Sequence, residues 1–358
     1  MASVDRLSEA LRDHSLRILL TGDRGYLGAV MVQYLRNLGH SVTGLDTDYY
    51  FDGDLLKPAE DYPRIKTDIR DVGGEELKGF DAVIHLAALS NDSLGDLKPE
   101  WTYDINYKAS LRLAEQAKQA GVRRFLYSSS CSLYGAAGEE MLKEDAPMRP
   151  LTPYAESKVR TEEGLSRLAD GWFAPTFLRN ATVYGVSPRL RLDVVLNNLV
   201  GWAVAVGKIL IMSDGSPWRP LVHVQDVAQA FACVLQGPLE VVSNQAFNVG
   251  VNTENYQVRQ LAAIVQRVIP SCSIEYSGMA GPDPRNYRVD FSKLGRAFPD
   301  FRPRWNALEG TRELHAAYRA AGMTAEDFHG RRFTRVKQLK YLVGTGLLDD
   351  SLRWQRGN

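Results

Sequence analysis

Cysteine is scarce: Cys131, Cys233 and Cys272 are the only three in 358 residues, an odd number with no close pairing. That excludes a disulfide scaffold and points to a reducing compartment, the cytoplasm. An excess of charge of either sign is also missing. Lys and Arg number 43, Asp and Glu 43, so no overall field exists that would hold nucleic acid, and none is expected as a partner. No apolar run reaches the roughly 18 residues of a membrane span. The most apolar long stretch, 194–207, is broken by Asn197 and Asn198. The opening residues, MASVDRLSEALRDHS, are polar and mixed in charge, without the apolar centre of a signal peptide. CxxC, HExxH and EF-hand patterns are absent, and no bound metal is expected. What is present is 44% hydrophobic and 24% charged residues, a balance that excludes disorder.

Short apolar runs alternate with helical periodicities. LRILL at 16–20, SVTGL at 41–45, AVIHL at 82–86, RFLY at 124–127 and TFLR at 176–179 read as buried parallel strands. Tyr26 to Leu38 reads as a helix ending at Gly39, and a longer helix covers about Pro99 to Ala120, closing at Gly121. The alternation predicts an α/β fold with a doubly wound parallel sheet. From about residue 180, loops rich in Pro and Gly become frequent (SPRLR, SDGSPWRP, GMAGPDPRN), which predicts a smaller C-terminal α/β lobe. The last residues, 331–358, are helical in pattern and basic. They are expected as a solvated helix packed on the lobe or as a subunit contact.

Between the first strand and the first helix stands TGDRGYLG at 21–28, with Gly22, Gly25 and Gly28 three apart. Residues this small let backbone approach a pyrophosphate, and a helix N-terminus offers N–H groups and a positive dipole end. Gly28 lets the helix lie close to the strand. Asp46 ends the second strand; a carboxylate there accepts hydrogen bonds from an adenosine ribose and repels a 2′-phosphate, which favours NAD over NADP. Asp68, followed by Ile69, stands where a third strand should end, to meet an adenine amino group or to cap a helix.

Tyr154 and Lys158, in YAESK, share a helix face at i and i+4. Thr152 as N-cap and Pro153 at the first helical position start that helix. A nearby ammonium and a positive nicotinamide both favour phenolate, which would make Tyr154 a base near neutral pH. SSSCSLYG at 128–135 follows the fifth strand, where an open parallel sheet binds its ligands.

With these residues the sequence resembles an extended short-chain dehydrogenase/reductase with a Rossmann-type sheet, in the nucleotide-sugar epimerase/dehydratase branch, over residues 16–320. The motifs also include HLAA at 85–88, Asn106, LRNATVYG at 178–185 and RPLVHVQD at 219–226. The resemblance implies an NAD-binding domain at 1–180 to which 224–250 contribute, a nucleotide-sugar lobe at 181–330 and a tail at 331–358. It implies that Gly22, Gly25 and Gly28, with Tyr26 and Leu27, cradle the pyrophosphate, and that Asp46 holds the ribose. Asp68, Ile69, Ala87, Ala88 and Ser128 complete the cofactor set, with Asn106 bracing the active-site helix. Tyr154 is the base, Lys158 holds the nicotinamide ribose and lowers the phenol pKa, and Ser130 takes the place of the catalytic Ser/Thr. Asn180, Asn198, Leu199, Arg219 and Arg285 meet the nucleoside-diphosphate sugar.

Departures from the pattern narrow the chemistry. The dehydratases of this branch carry Asp-Glu where this chain has Cys131 and Ser132, and a Ser cannot take a carbon-bound proton. Cys131 is either a proton-transfer group or a packing residue. Arg189 or Arg191 pairs either with a sugar carboxylate or with Asp193. The activity this implies is 4-epimerisation of a nucleoside-diphosphate hexose through a transient 4-keto sugar. The alternatives are a 4-ketoreductase or a UDP-glucuronate-type decarboxylase on the same site, then a dehydratase, and last a non-catalytic NAD-binding protein. The family habit is a homodimer through a bundle that includes the YxxxK helix.

Overall fold

The computed structural model describes residues 15–355 except 91, 93–96 and 278–284, and the side chains of 137–139 are likewise not described. The opening segment and most of the GMAGPDPRN loop therefore lie outside the described residues. The apolar runs become β1 (Arg17–Thr21), β2 (Ser41–Asp46), β4 (Ala82–His85), β5 (Arg124–Ser130) and β7 (Ala174–Asn180). β3 (Arg64–Lys66) extends one edge and β6 (Ala136–Leu142) stands apart. β8 (Thr182–Tyr184), β9 (Lys208–Ile211) and β10 (Trp218–His223) belong to smaller sheets, and β11 (Gln245–Val249) returns to the main one. That sheet runs β11-β7-β5-β4-β1-β2-β3, and every pairing is parallel. Strand order reverses beside β1, so a crevice opens at the carboxyl ends of β1 and β4.

Alternation along the strands splits the core in two. Ile18, Leu20, Ile84, Leu126 and Leu178 face α1 (Tyr26–Asn37), which supplies Met31, Val32 and Leu35. Leu19, Val83, Phe125 and Tyr127 face α2 (Ala109–Gln119) and α3 (Pro153–Leu168), which supply Leu113, Ala117 and Leu165. The expected helix from Pro99 is not a single α-helix. A short α turn at Pro99–Thr102 passes into a wider π turn, Tyr103–Lys108, before α2. The π turn packs on α3 and buries Asn106; its extra residue leaves no mark in a 3.6-residue period.

In the lobe, α4 (Val195–Val206) packs Leu196, Leu199 and Val200 against Tyr184, Leu192 and Ile209. β10 lies parallel to β8 and antiparallel to Asn255–Gln257. α5 (Val224–Gln236) then crosses back, adding Val227, Phe231 and Val234 to the α1 side of the main core. α6 (Ala307–Ala320) closes the lobe on α4. No helix among the described residues is long and apolar enough to cross a membrane.

The tail departs most from expectation. α7 (Arg335–Gly344) does not lie solvated on the lobe. Its Leu339 and Leu342, with Leu348 and Leu352 beyond it, are buried in the dinucleotide half against Leu45, Tyr49 and Ile69. Trp354 Nε1 donates to Thr47 O at 2.7 Å, and Tyr49 Oη to Leu352 O at 2.5 Å. The physical reason is apolar demand: the face of the sheet beside β2 would be open to water without these leucines.

Candidate active site

A cleft of about 940 Å³ runs across the carboxyl ends of the sheet and under the lobe. Gly22, Gly25, Tyr26, Leu27 and Gly28 line one end. Gly22 has φ +77°, and a Cβ on Gly28 would stand 1.9 Å from Gly22 O, so nothing larger than glycine fits either position. No side chain caps α1 and no acidic residue sits in its first turn, which leaves its first N–H groups for an anion. Asp46 lines the cleft at the end of β2. It accepts from Asp48 N at 2.8 Å and Arg24 N at 3.2 Å. Burial, with the charge of Asp23, pushes its carboxyl up to about 6. Ile69, Ala87, Ala88 and Ser128 line the same wall.

Two members of the expected cofactor set behave differently. Asp68 lines the cleft, but Arg70 clasps its carboxylate at 2.7 Å, and its Oδ1 closes its own turn on Arg70 N. Burial raises that carboxyl, yet the Arg70 hydrogen bonds outweigh burial and hold it below its ordinary value. Asn106 lies behind the wall rather than in it. Its Oδ1 accepts from Leu89 N at 2.8 Å, and its main-chain O accepts from Thr161 Oγ1 of α3 at 3.0 Å. It ties the end of β4 to α3, which is the bracing arrangement.

At the middle of the cleft, β5 runs through the Ser residues that were expected just beyond it, because they keep pairing with β7 as far as Ser130 with Asn180. Ser130 Oγ accepts from Ser132 N at 3.1 Å and starts a tight turn, Cys131–Tyr134. Tyr154 stands on the first turn of α3, which Thr152 caps by accepting from Ala155 N at 3.2 Å. Ser130 and Tyr154 line the cleft side by side, close enough for the Ser130 hydroxyl to oppose the rise of the Tyr154 phenol. Lys158 Nζ lies 5.6 Å from the Tyr154 ring centroid and donates to Ser128 O at 2.7 Å.

The titration of this group corrects one expectation. Burial pushes the Tyr154 phenol up to about 12, Asp92 adds to that, and Arg191 and Ser130 pull the other way without prevailing. Burial also draws Lys158 down to about 7. The protein alone therefore holds Tyr154 as a neutral phenol, because desolvation outweighs the neighbouring cations. Cys131 is corrected as well. It is 1% exposed, its thiol donates to Arg179 O at 3.1 Å, and burial raises the thiol far above its ordinary value. The turn that Ser130 starts swings Cys131 into the core and leaves Ser132 facing the cleft. Of its two roles, packing is the one its surroundings support.

Asn180 lines the cleft from the end of β7, and Asn198, Leu199, Arg219 and Arg285 line its lobe side. Arg189 does not: it is fully buried and pairs with Asp54 at 2.7 Å, because its side chain turns under the loop instead of into the cleft. Arg191 does line it, bonded to Asp193 at 2.7 Å and to Ser90 Oγ at 2.9 Å. Two cleft residues had no readable signal. Asp92 accepts from Thr152 Oγ1 at 2.7 Å and pairs with Arg285 at 2.5 Å. Arg335 arrives from the tail.

A glycine turn on a doubly wound sheet, facing a Ser–Tyr–Lys group beneath a second lobe, defines an extended short-chain dehydrogenase/reductase. A model of the NAD dependent epimerase/dehydratase family matches residues 18–250, and the chain belongs to that family. It is 30% identical over 284 residues to the UDP-glucose 4-epimerase of Mycolicibacterium smegmatis, covering 77% of this chain and 90% of that one. It is 27% identical to the UDP-glucose 4-epimerase of Bacillus subtilis, covering 71% and 82%. Among solved structures it is similar to MoeE5 in complex with UDP-glucuronic acid and NAD, with 27% identity, a TM-score of 0.75, and 85% and 99% of the two chains covered. The residues present fit NAD: the glycine cradle excludes side chains, and no side chain caps the N-terminus of α1 beside it.

Proposed function

We propose that the protein is a nucleoside-diphosphate-sugar 4-epimerase. The observation that carries this is the placing of Ser130 and Tyr154 together in the cleft, with a hydroxyl at 132 and the thiol at 131 turned away. Among the described residues, the acid acting on Tyr154, Asp92, is already held by Thr152 and Arg285, which argues against its taking a ring proton for dehydration. The similarity to UDP-glucose 4-epimerases supports the same reading.

NAD, when bound, accepts hydride from C4 and returns it. The chain does the rest. Tyr154, in the phenolate form that the positive nicotinamide of bound NAD would favour, would take the proton of the 4-hydroxyl, and Ser130 would hydrogen-bond the same oxygen. Lys158, which faces the Tyr154 ring, holds the nicotinamide ribose. Arg219 and Arg285 offer guanidinium forks to the diphosphate, with Asn180, Asn198 and Leu199 around the nucleotide. The tether lets the 4-keto sugar turn in the cleft, and reduction on its other face inverts C4. A cytoplasmic homodimer through a bundle that includes α3 accompanies this reading, and sedimentation checks the dimer.

The test is incubation with UDP-, dTDP-, GDP- and CDP-hexoses, followed by mass spectrometry and NMR of the products. An epimer of unchanged mass, without net NAD consumption, is the expected result. Loss of water or carbon dioxide, or stoichiometric NAD turnover, overturns it.

A further inference from the structure

We propose that Arg335 is a cofactor-binding residue, and that the C-terminal segment is a strap whose guanidinium clamps the pyrophosphate of the bound dinucleotide. The inference rests on the NAD site described above and adds a residue from outside the glycine turn.

Three observations converge. The first is position. Arg335 opens α7, lines the cleft and lies 4.0 Å above the Tyr50 ring. The charges acting on Tyr50 include both Arg335 and Asp46, while those acting on Arg335 include Arg191, which in turn acts on Tyr154. Arg335 thus neighbours Tyr50 on the side of the ribose-holding end of the cleft and Arg191 on the side of the reacting end. In an extended dinucleotide, the part that spans those ends is the pyrophosphate.

The second is charge. Arg189 pairs with Asp54, Arg191 with Asp193 and Arg24 with Asp48. Arg335 Nη1 and Nη2 are buried without a hydrogen-bond partner, and the residue is 4% exposed. A guanidinium withdrawn from water without an anion is strongly disfavoured. Burial accordingly draws it down to about 10. The only anion on NAD is its pyrophosphate, whose oxygens suit a two-pronged guanidinium fork.

The third is anchorage. Gln338 Nε2 donates to Tyr49 O at 3.1 Å, Arg332 Nη2 to Asp54 O at 2.7 Å, and Trp354 Nε1 to Thr47 O. The tail therefore grips the segment 47–54 that follows Asp46, and the buried leucines hold α7 in place. The strap must yield before the cofactor can leave.

The experiment compares full-length wild type with Arg335→Gln and Arg335→Lys by calorimetric titration with NAD, ADP-ribose and UDP. Arg335→Gln should weaken NAD and ADP-ribose roughly 30-fold, the loss of a charge-assisted phosphate contact. It should leave UDP unchanged and the melting temperature of the ligand-free chain equal or raised. Arg335→Lys should recover part of the affinity. Unchanged NAD affinity in a folded variant overturns the inference, and so does selective weakening of UDP, which would assign the guanidinium to the substrate diphosphate. If the Gln variant does not fold, hydrogen exchange on wild type decides: NAD should slow exchange across 331–345, and no change overturns the strap. Wild type that binds no NAD sinks the cofactor assignment itself, whereas wild-type binding with an unaltered Gln variant sinks only Arg335.

Discussion

At the scale of single residues, Tyr154, Lys158 and Ser130 were legible because their relation is local: an i, i+4 spacing with a capped start, and a Ser at a strand end. Their protonation was not, because burial and the fields of Asp92 and Arg191 decide it. Tyr154→Phe should lower turnover by about 10²–10⁴, the usual worth of a positioned acid–base group, with NAD affinity retained. Steady-state kinetics beside calorimetric titration checks this, and undiminished turnover would remove Tyr154 from the mechanism. Asp46 carries a pH prediction. Folding raises its carboxyl from 3.8 to about 6. The folded chain thus takes up this proton at higher pH than the unfolded one, so ionised Asp46 opposes folding above pH 6 and that opposition fades as pH falls through 6. The carboxylate is the form that accepts ribose hydroxyls, so NAD affinity should fall as pH drops from about 7 to about 5. Asp46→Asn should flatten that slope; an equal slope in the variant would place the titration elsewhere.

At the scale of elements, the strands and α1 were readable from apolar runs and a glycine stop, since each is stabilised by its own periodicity. The π turn before α2 and the run of β5 through Ser130 were not. The one depends on Asn106 bonding across to Leu89 and α3, and the other on pairing with β7. The glycine turn is where sequence and geometry agree most closely. Gly28→Ala places a methyl 1.9 Å from Gly22 O, against backbone that has no room to move. Stability should drop by at least about 2 kcal/mol in urea unfolding, and NAD should no longer raise the melting temperature. A variant that binds NAD normally would show that the turn relaxes.

At the scale of the molecule, the tail and the cleft form one unit. Leu342 is fully buried between α7 and the dinucleotide half. Leu342→Ala should cost about 2–5 kcal/mol by denaturant titration and weaken NAD binding as well, because α7 positions Arg335. Destabilisation without any change in NAD affinity would separate the tail from the cofactor site.

The amino-acid sequence alone determined the α/β class and the glycine turn, and it brought Asp46, Ser130, Tyr154 and Lys158 forward as the candidates that line one cleft or face into it. Each is written in neighbours close along the chain, or in a motif whose backbone geometry admits one residue type. Only the tertiary structure decided that Cys131 faces the core, that Arg189 turns away from the cleft, that Asp92 enters it, and that a tail residue, Arg335, lines it. Those outcomes rest on contacts such as Gln338 with Tyr49, 289 positions apart. No local pattern encodes such a pairing, because it is the burial of distant apolar surfaces that brings the two segments together.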